Sequence, residues 1–265
     1  MSAVIDYRRL GLETYLLYIK PKQLNDIFKI FNILCELKGV FSVYLFSTDG
    51  PIMRVKIKVK PSRLDSLINN ISMSLTGLIE PVTIVPVRKT YMDQGVPVSE
   101  TQLPETLPID EKDWTMLSML QKNSFATLKD ISDRLKISEP SVYSRMKKIK
   151  QHNIVPGYKF SINWENVPKE AYSLRALFTG RINPTEIPKV IEWVKSDANY
   201  SKGMRSAYEV YGDMNFNFGL TVNSIMDLQK FIEDMLKRFA FDKLEIGVLL
   251  NVRWNKNPVD YMFMK

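Results

Sequence analysis

Apolar residues along this chain recur at two spacings, every second residue or every third and fourth, and the switches between the two lay out its elements. Residues 15–20 read as a strand, 23–37 as a helix with Ile27, Ile30, Phe31 and Leu34 on one face, and 40–46 as a second strand. After the turn signal Asp49-Gly50, residues 53–60 are a third strand, 64–75 a second helix and 82–87 a fourth strand. The order β-α-β-β-α-β predicts a ferredoxin-like unit, one antiparallel sheet with both helices on one face. The same order returns from about Tyr172: a strand at 173–179, a helix at 186–195, a strand at 204–211, a turn at Gly212-Asp213, a strand at 215–222, a helix at 225–239 and a strand at 244–252. One module is thus written twice, with little residue identity.

Between the copies the helical period takes over. Leu117 and Leu120, then Leu128, Ile131 and Leu135, then Val142, Met146 and Ile149 outline three short amphipathic helices that need one shared core. The second and third are separated only by Lys136-Ile137-Ser138, the tight connection of a helix-turn-helix, with Ile137 buried in the turn and Ser138 capping the third helix. Residues 110–158 therefore predict three helices and a strand built to lay a basic helix on DNA. Residues 91–107, with Gly95, Pro97, Ser99, Glu100, Pro104 and Glu105 and no apolar period, read as a linker. The predicted fold class is α+β: a ferredoxin-like domain over 1–90, the linker over 91–107, a winged helix-turn-helix over 108–165 and a second ferredoxin-like domain over 166–265.

Composition narrows the partners. The 265 residues are 45% hydrophobic and 25% charged, enough for two or three cores. A net charge of +8 favours a polyanion, although it suits a membrane surface nearly as well. The charge is uneven: +6 over residues 1–90, −3 over the linker, +3 over 108–165 and +2 over the remainder. No apolar run approaches the roughly 20 residues of a membrane span, and Asp6, Arg8 and Arg9 stand where a signal peptide would be apolar, so a cytoplasmic location is expected. Cys35 is the single cysteine and His152 the single histidine, which excludes an internal disulfide, a cysteine-based zinc site, Ser-His-Asp and Cys-His arrangements and multi-histidine metal sites. Neither GxxxxGK[ST] nor GxGxxG occurs. No enzymatic activity and no cofactor are expected.

The central stretch resembles the Lrp/AsnC (feast/famine) transcription regulators. Pro108-Ile109-Asp110-Glu111-Lys112-Asp113-Trp114-Thr115-Met116-Leu117 is similar to the family's LDxxDxxIL first helix, Leu135-Lys136-Ile137-Ser138 stands where the family writes LGLS, and residues 138–158 follow SxxxVxxRxxxLxxxGxIxGY. Lys136 and Asn153 each replace a glycine, the first at a helix end that favours φ > 0. The resemblance implies a ligand-sensing, oligomerising domain behind the DNA-binding one, which agrees with the rear β-α-β-β-α-β copy. The front copy is the departure. Val4-Ile5-Asp6-Tyr7-Arg8-Arg9-Leu10-Gly11-Leu12 resembles the family segment that enters the sensing domain, so descent from a tandem whose first DNA-binding half was lost is the expectation. The same fold also serves the siroheme decarboxylases, an analogy of fold alone.

Candidate residues follow. With Val142, Met146 and Ile149 turned inward, Ser141, Tyr143, Ser144 and Lys147 are candidates for base edges, while Lys148 and Lys150 suit phosphates. Arg145 stands at the family's arginine, where phosphate contact and a structural ion pair are both open. Thr127 caps the second helix and can present N–H groups to a phosphate; capping alone explains it equally well. Tyr211, Gly212, Asp213 and Asn215 resemble the family's effector turn, although Asn215 replaces an aspartate and a plain hairpin reversal explains Gly212-Asp213 as well. The corresponding front turn, residues 47–51, lacks the pattern. Arg54, Lys56, Lys58 and Lys60 alternate with Val55, Ile57 and Val59, which predicts a strand with a basic face, either solvated or docked on an anionic partner.

The expected partners are double-stranded DNA, a second copy of the chain and a small amino-acid-like effector, with no membrane. A homodimer or higher assembly follows because paired half-sites about 34 Å apart need two reading helices. The two ferredoxin-like domains can pair within one chain or between chains. The expected function is sequence-specific transcription regulation; the alternative is a sensing or scaffold protein that recruits a protein partner and binds DNA without sequence preference.

Overall fold

The computed structural model describes residues 1–48, 50–93, 95–98, 106–159 and 174–254. Asp49 of the front turn, residues 99–105 of the expected linker, Ser173 as a strand start and the expected boundary at 165/166 lie outside them.

The front half runs β2 (Glu13–Ile19), α1 (Ile27–Glu36), β3 (Val40–Ser47), β4 (Pro51–Val59), α2 (Leu64–Ser74) and β5 (Thr83–Asp93), after a short β1 (Ser2–Val4) and a 3-10 turn at Tyr7–Leu10. The rear half repeats the order as β8 (Leu174–Ile182), α6 (Ile187–Ser196), β9 (Met204–Val210), β10 (Phe216–Val222), α7 (Ile225–Arg238) and β11 (Phe241–Trp254). Each half owes its helices to an apolar stripe. Ile27, Ile30, Phe31 and Leu34 of α1, with Leu67 and Ile71 of α2, cover Leu17, Ile19, Val55 and Ile57 of the sheet. Ile187, Val190, Ile191 and Val194 of α6 and Leu228, Phe231 and Met235 of α7 cover Phe178, Phe216, Phe218 and Leu220. The rear core is the more aromatic: Phe231 stacks on Trp193 at 5.5 Å and on Phe218 at 5.8 Å and meets the Tyr200 ring edge-on at 4.9 Å.

Strand order within the halves is β5-β2-β4-β3 and β11-β8-β10-β9, and the two sheets join at both edges. β11 gives its first part to β8 and its last part to β3, from Val248↔Ser47 to Trp254↔Ser42. β5 likewise pairs β2 through Thr83–Pro86 and β9 from Val87↔Val210 to Met92↔Ala207. All these pairings are antiparallel, so eight strands close into a barrel, with the two-residue β6 (Val96–Pro97) appended to β5. Among the described residues, closure leaves the barrel without a free edge and puts α1, α2, α6 and α7 outside it. It also explains why β5 runs past the expected Val87 to Asp93: those residues have no partner in their own half and find one in β9. Tyr91, Met92 and Asp93 are therefore strand where a linker was expected.

The basic strand face is corrected by the same closure. Arg54 and Lys56 are 4% and 2% exposed, and Lys58 lies with them inside the barrel; Lys60 alone of the four is exposed. The alternation holds, but the second face is covered by the opposing wall. Within the barrel Lys56 Nζ and Lys58 Nζ donate to the two carboxylate oxygens of Asp93 at 2.6 and 2.8 Å, Tyr208 Oη donates to Asp93 at 2.8 Å, and Arg54 Nη1 donates to Asn217 Oδ1 at 2.6 Å. The Arg54 guanidinium also lies 4.7 Å from the Tyr44 ring. Burial works against ionisation of Asp93, yet the two ammonium groups outweigh it and hold its carboxyl well below the usual carboxylate range.

Between the halves lie α3 (Glu111–Lys122), α4 (Leu128–Leu135), α5 (Glu139–Gln151) and β7 (Gly157–Lys159). Their core is completed by the start of the chain: Ala3, Ile5, Tyr7, Leu10 and Leu12 pack with Trp114, Leu117, Ile131, Val142 and Ile154. β1 pairs β7 antiparallel, Ala3 opposite Tyr158. These first residues, expected in the front domain, belong physically with the helix-turn-helix.

Candidate nucleic-acid interface

Three local devices build the reading helix. At the start of α3, Asp110 Oδ1 accepts from the Asp113 backbone N–H at 2.8 Å and the Asp113 carboxylate accepts from the Asp110 N–H at 3.2 Å, a reciprocal cap. Thr127 and Asp130 repeat the arrangement at α4, with the Asp130 carboxylate accepting from the Thr127 N–H at 2.8 Å. Asp130 is pulled below its ordinary value first by that backbone N–H and then by the Thr127 hydroxyl. At the end of α4, Lys136 takes the left-handed conformation, φ 53°, and the Ser132 hydroxyl donates to the Ile137 carbonyl at 2.6 Å. The chain thereby reverses in three residues and starts α5 at Glu139.

Ser138 occupies the cap position of α5 with extended backbone, but its hydroxyl donates to the Ser141 hydroxyl at 3.1 Å and makes no cap bond to the backbone. The expected side-chain cap is corrected to that extent, and the serine pair stands at the exposed helix start. Val142 and Ile149 are buried and Met146 partly so, which leaves Ser141, Tyr143, Ser144, Lys147 and Lys150 exposed along one flank. Lys148 is half-buried and donates to the Pro108 carbonyl at 3.2 Å. Ser141 and Ser144 share an open depression of about 620 Å³ with Ile137, Arg145, Asp110 and Asp113.

Arg145 is committed to the scaffold. Its Nη1 lies 2.6 Å from Asp113 Oδ1 and 2.8 Å from Asp110 Oδ2, so one guanidinium ties α5 to the cap of α3. The hydrogen bonds to Asp113 and then Asp110 raise its pKa further, and Asp110, although burial acts the other way, is held below its ordinary value by the Asp113 N–H and by Arg145. Of the two roles left open by the sequence, the ion pair is the one present. Asn153 adopts φ 48° directly after α5, and His152 is exposed, with its carbonyl accepting from Arg9 Nη1 at 3.1 Å.

The rear turn separates into parts. Gly212 has φ 127°, and Tyr211 and Asp213 are exposed between β9 and β10. Asn215 is turned back on β8: its Nδ2 donates to the Ile182 carbonyl at 2.7 Å and its Oδ1 accepts from the Ile182 N–H at 3.1 Å. Both polar atoms of its side chain are engaged in a backbone clamp. The Tyr211 N–H donates to the Pro86 carbonyl, so the turn lies against the front half.

Asp93, Tyr208 and Asn217 were not singled out from sequence. Asp93 sits in a Pro/Gly-rich stretch that reads as linker, and the available signal was physical: three inward cations on one strand require an internal acceptor.

A helix-turn-helix carried on a doubled ferredoxin-like barrel defines the class of protein. Residues 109–150 match the AsnC-type helix-turn-helix domain. An uncharacterized HTH-type transcriptional regulator of Pyrococcus abyssi is 22% identical over 144 residues, covering 54% of this chain and 93% of that protein. The HTH-type transcriptional regulator LysM of Sulfurisphaera tokodaii is 27% identical over 131 residues, 48% of this chain and 84% of its own. Residues 109–150 thus carry an AsnC-type helix-turn-helix, and the similar regulators account for about half of this chain's length. Over nearly the whole length its fold is similar to that of the siroheme decarboxylase NirDL, with a TM-score of 0.68 at 14% identity, covering 96% of this chain and 76% of that one.

Proposed function

We propose that this protein is a DNA-binding transcription regulator whose α5 enters the major groove. The observation that carries the reading is the exposed flank of α5 within an AsnC-type domain, where hydroxyl and amine donors stand on a helix held rigidly by Arg145 and the two reciprocal caps. Ser141, Tyr143, Ser144 and Lys147, near the helix start, take base edges; Lys150 takes a phosphate, and Thr127 offers the N-terminus of α4 to another. Arg145 and Ser138 act through position rather than contact, and Lys148 shares its charge with the Pro108 carbonyl. An amino-acid-like effector, if bound at the rear turn, meets Tyr211, Gly212 and Asp213. The sheet-face route to a homodimer is already used inside one chain, which leaves the outer helices for any association between chains.

The test is recovery of bound genomic fragments at about 0.15 M salt, where non-specific phosphate contacts are weakened, with a Lys147→Ala, Lys150→Ala variant alongside. A motif recovered by the protein and lost by the variant supports the proposal. Strongly salt-dependent binding without a motif favours the scaffold reading instead. The likeness to NirDL favours one further use, a tetrapyrrole carboxylate held by the barrel; an unchanged absorption spectrum on titrating iron-uroporphyrin into the protein rejects it.

A further inference from the structure

Where the barrel meets the helix-turn-helix, three segments enclose a cavity of about 40 Å³, room for about three waters or one small polyatomic ion. The barrel contributes Thr14, Lys58 and Thr90, the start of the chain Arg8 and Arg9, and the turn after α5 Asn153. These walls are tied to one another. The Asp6 N–H donates to the Ile154 carbonyl at 2.8 Å, Arg9 Nη1 donates to the His152 carbonyl at 3.1 Å, and Thr14 stands opposite Lys58 in the pairing of β2 with β4.

The charges of this cavity suit an anion. Two carboxylates also line it, but Asp93 faces Lys56 and Lys58 at 2.6 and 2.8 Å, and Asp6 faces Arg8 and Arg9 at 2.9 and 3.5 Å. Neither acid therefore presents an unscreened negative charge to the space between them. Lys58 spends one N–H on Asp93, and an ammonium has three to give. Its side chain is 8% exposed, and burial lowers its pKa; Asp93 and Asp6 oppose that shift without restoring the ordinary lysine value, and Lys56 adds to it. A further negative charge beside Lys58 is thus stabilising. The Thr14 and Thr90 hydroxyls line the same cavity and make no hydrogen bond among the described residues, which puts two neutral donors next to the ammonium.

We propose that this cavity is a binding site for a small oxyanion, a phosphate or carboxylate group held by Lys58 and the Thr14 and Thr90 hydroxyls, with the guanidinium groups of Arg8 and Arg9 beside it. The site is separate from the exposed flank of α5 and from the rear turn, and it does not depend on the DNA-reading role. An anion there braces the start of the chain on the barrel, and α3 with it. The Tyr7 ring lies 5.5 Å from Phe41 of β3 and 6.3 Å from Trp114 of α3, and Gln121 Nε2 donates to Tyr7 Oη at 3.0 Å.

Calorimetric titration of the full chain with sodium phosphate and, separately, with sodium acetate, against sodium chloride at matched ionic strength, tests this. Saturable binding of at least one oxyanion, and none of chloride, is expected. Phosphate alone assigns the site to a phosphoryl group and acetate alone to a carboxylate; either supports it. A Thr14→Val, Thr90→Val variant should bind about tenfold more weakly or worse, the worth of hydrogen bonds to a charged group, while Thr14→Ser, Thr90→Ser should bind as the parent does. Where the valine variant melts below the parent in chloride, the single Thr90→Val decides by the same criterion. Because α5 carries cations of its own, the Lys147→Ala, Lys150→Ala variant is titrated in parallel and should bind the anion unchanged. No saturable binding of either oxyanion, equal binding by the valine variant, or binding lost with Lys147 and Lys150 overturns the site.

Discussion

Asp93→Ala removes the carboxylate shared by Lys56 and Lys58 inside the barrel. Lys56 is 2% exposed, and both ammonium groups donate to Asp93 within 2.8 Å, so the variant removes the carboxylate that these two buried cations share. Breaking a buried pair from one side costs about 3–5 kcal/mol. With two ammonium groups and the Tyr208 hydroxyl on one carboxylate, the upper part of that range is expected. In a protein of this size each kcal/mol moves Tm by roughly 2–4 °C, so a fall of roughly 8–20 °C is expected. Urea unfolding followed by near-UV tyrosine signals reads the barrel directly. A Lys56→Met, Lys58→Met, Asp93→Leu variant should recover most of the loss, because replacing all partners by apolar groups leaves no unpaired charge. The pH dependence has a definite sign. Asp93 is depressed in the fold, so its contribution is present above the unfolded carboxylate value of about 3.9 and is lost as pH falls below it toward the folded value. The Asp93→Ala protein lacks that component. A loss under about 1 kcal/mol, the worth of an exposed pair, would mean that water reaches the lysines and that the barrel is not closed.

Two further substitutions probe local geometry. Lys136→Gly relieves a side chain at φ 53° and should raise helix-turn-helix stability by about 0.5–1 kcal/mol, the conformational strain less the added freedom of the unfolded chain; a lower Tm would show that Lys136 makes a compensating contact. Asn215→Asp restores the family's residue but loses the donation to Ile182 O and sets a carboxylate against that carbonyl, so a loss of about 1–3 kcal/mol with no gain in amino-acid binding by calorimetry is expected. Undiminished stability together with new amino-acid binding would return Asn215 to an effector site.

Most elements were legible because each has its own signal. The stripe Ile27, Ile30, Phe31, Leu34 announces α1, and the three-residue turn at Lys136-Ile137-Ser138 announces the helix-turn-helix. Positive φ at Lys136 and Asn153 was equally readable, since the resemblance puts glycine at both. What stayed hidden depends on pairing at long range. Arg145 has two chemically reasonable partners, phosphate or carboxylate, and only the approach of α3 brings Asp110 and Asp113 within 2.8 Å. Asn215 reads as a turn residue until β8 is laid beside it.

The basic strand β4 shows where such reasoning reaches its limit. Alternation states which residues share a face but not what covers that face. Four cations on one side of a strand point to solvent when the sheet is single, and a ferredoxin-like sheet taken alone has one open face. Two such sheets in one chain change the cost: each open face can be covered by the other, provided the cations find acceptors. Asp93 and Asn217 supply them, the first from a stretch that looked like linker and the second from the other half of the chain. The repeat of the module and the basic strand were both visible in the sequence, and taken together they already require an internal acidic or amide partner. The polar interior is thus a consequence of joining the two halves.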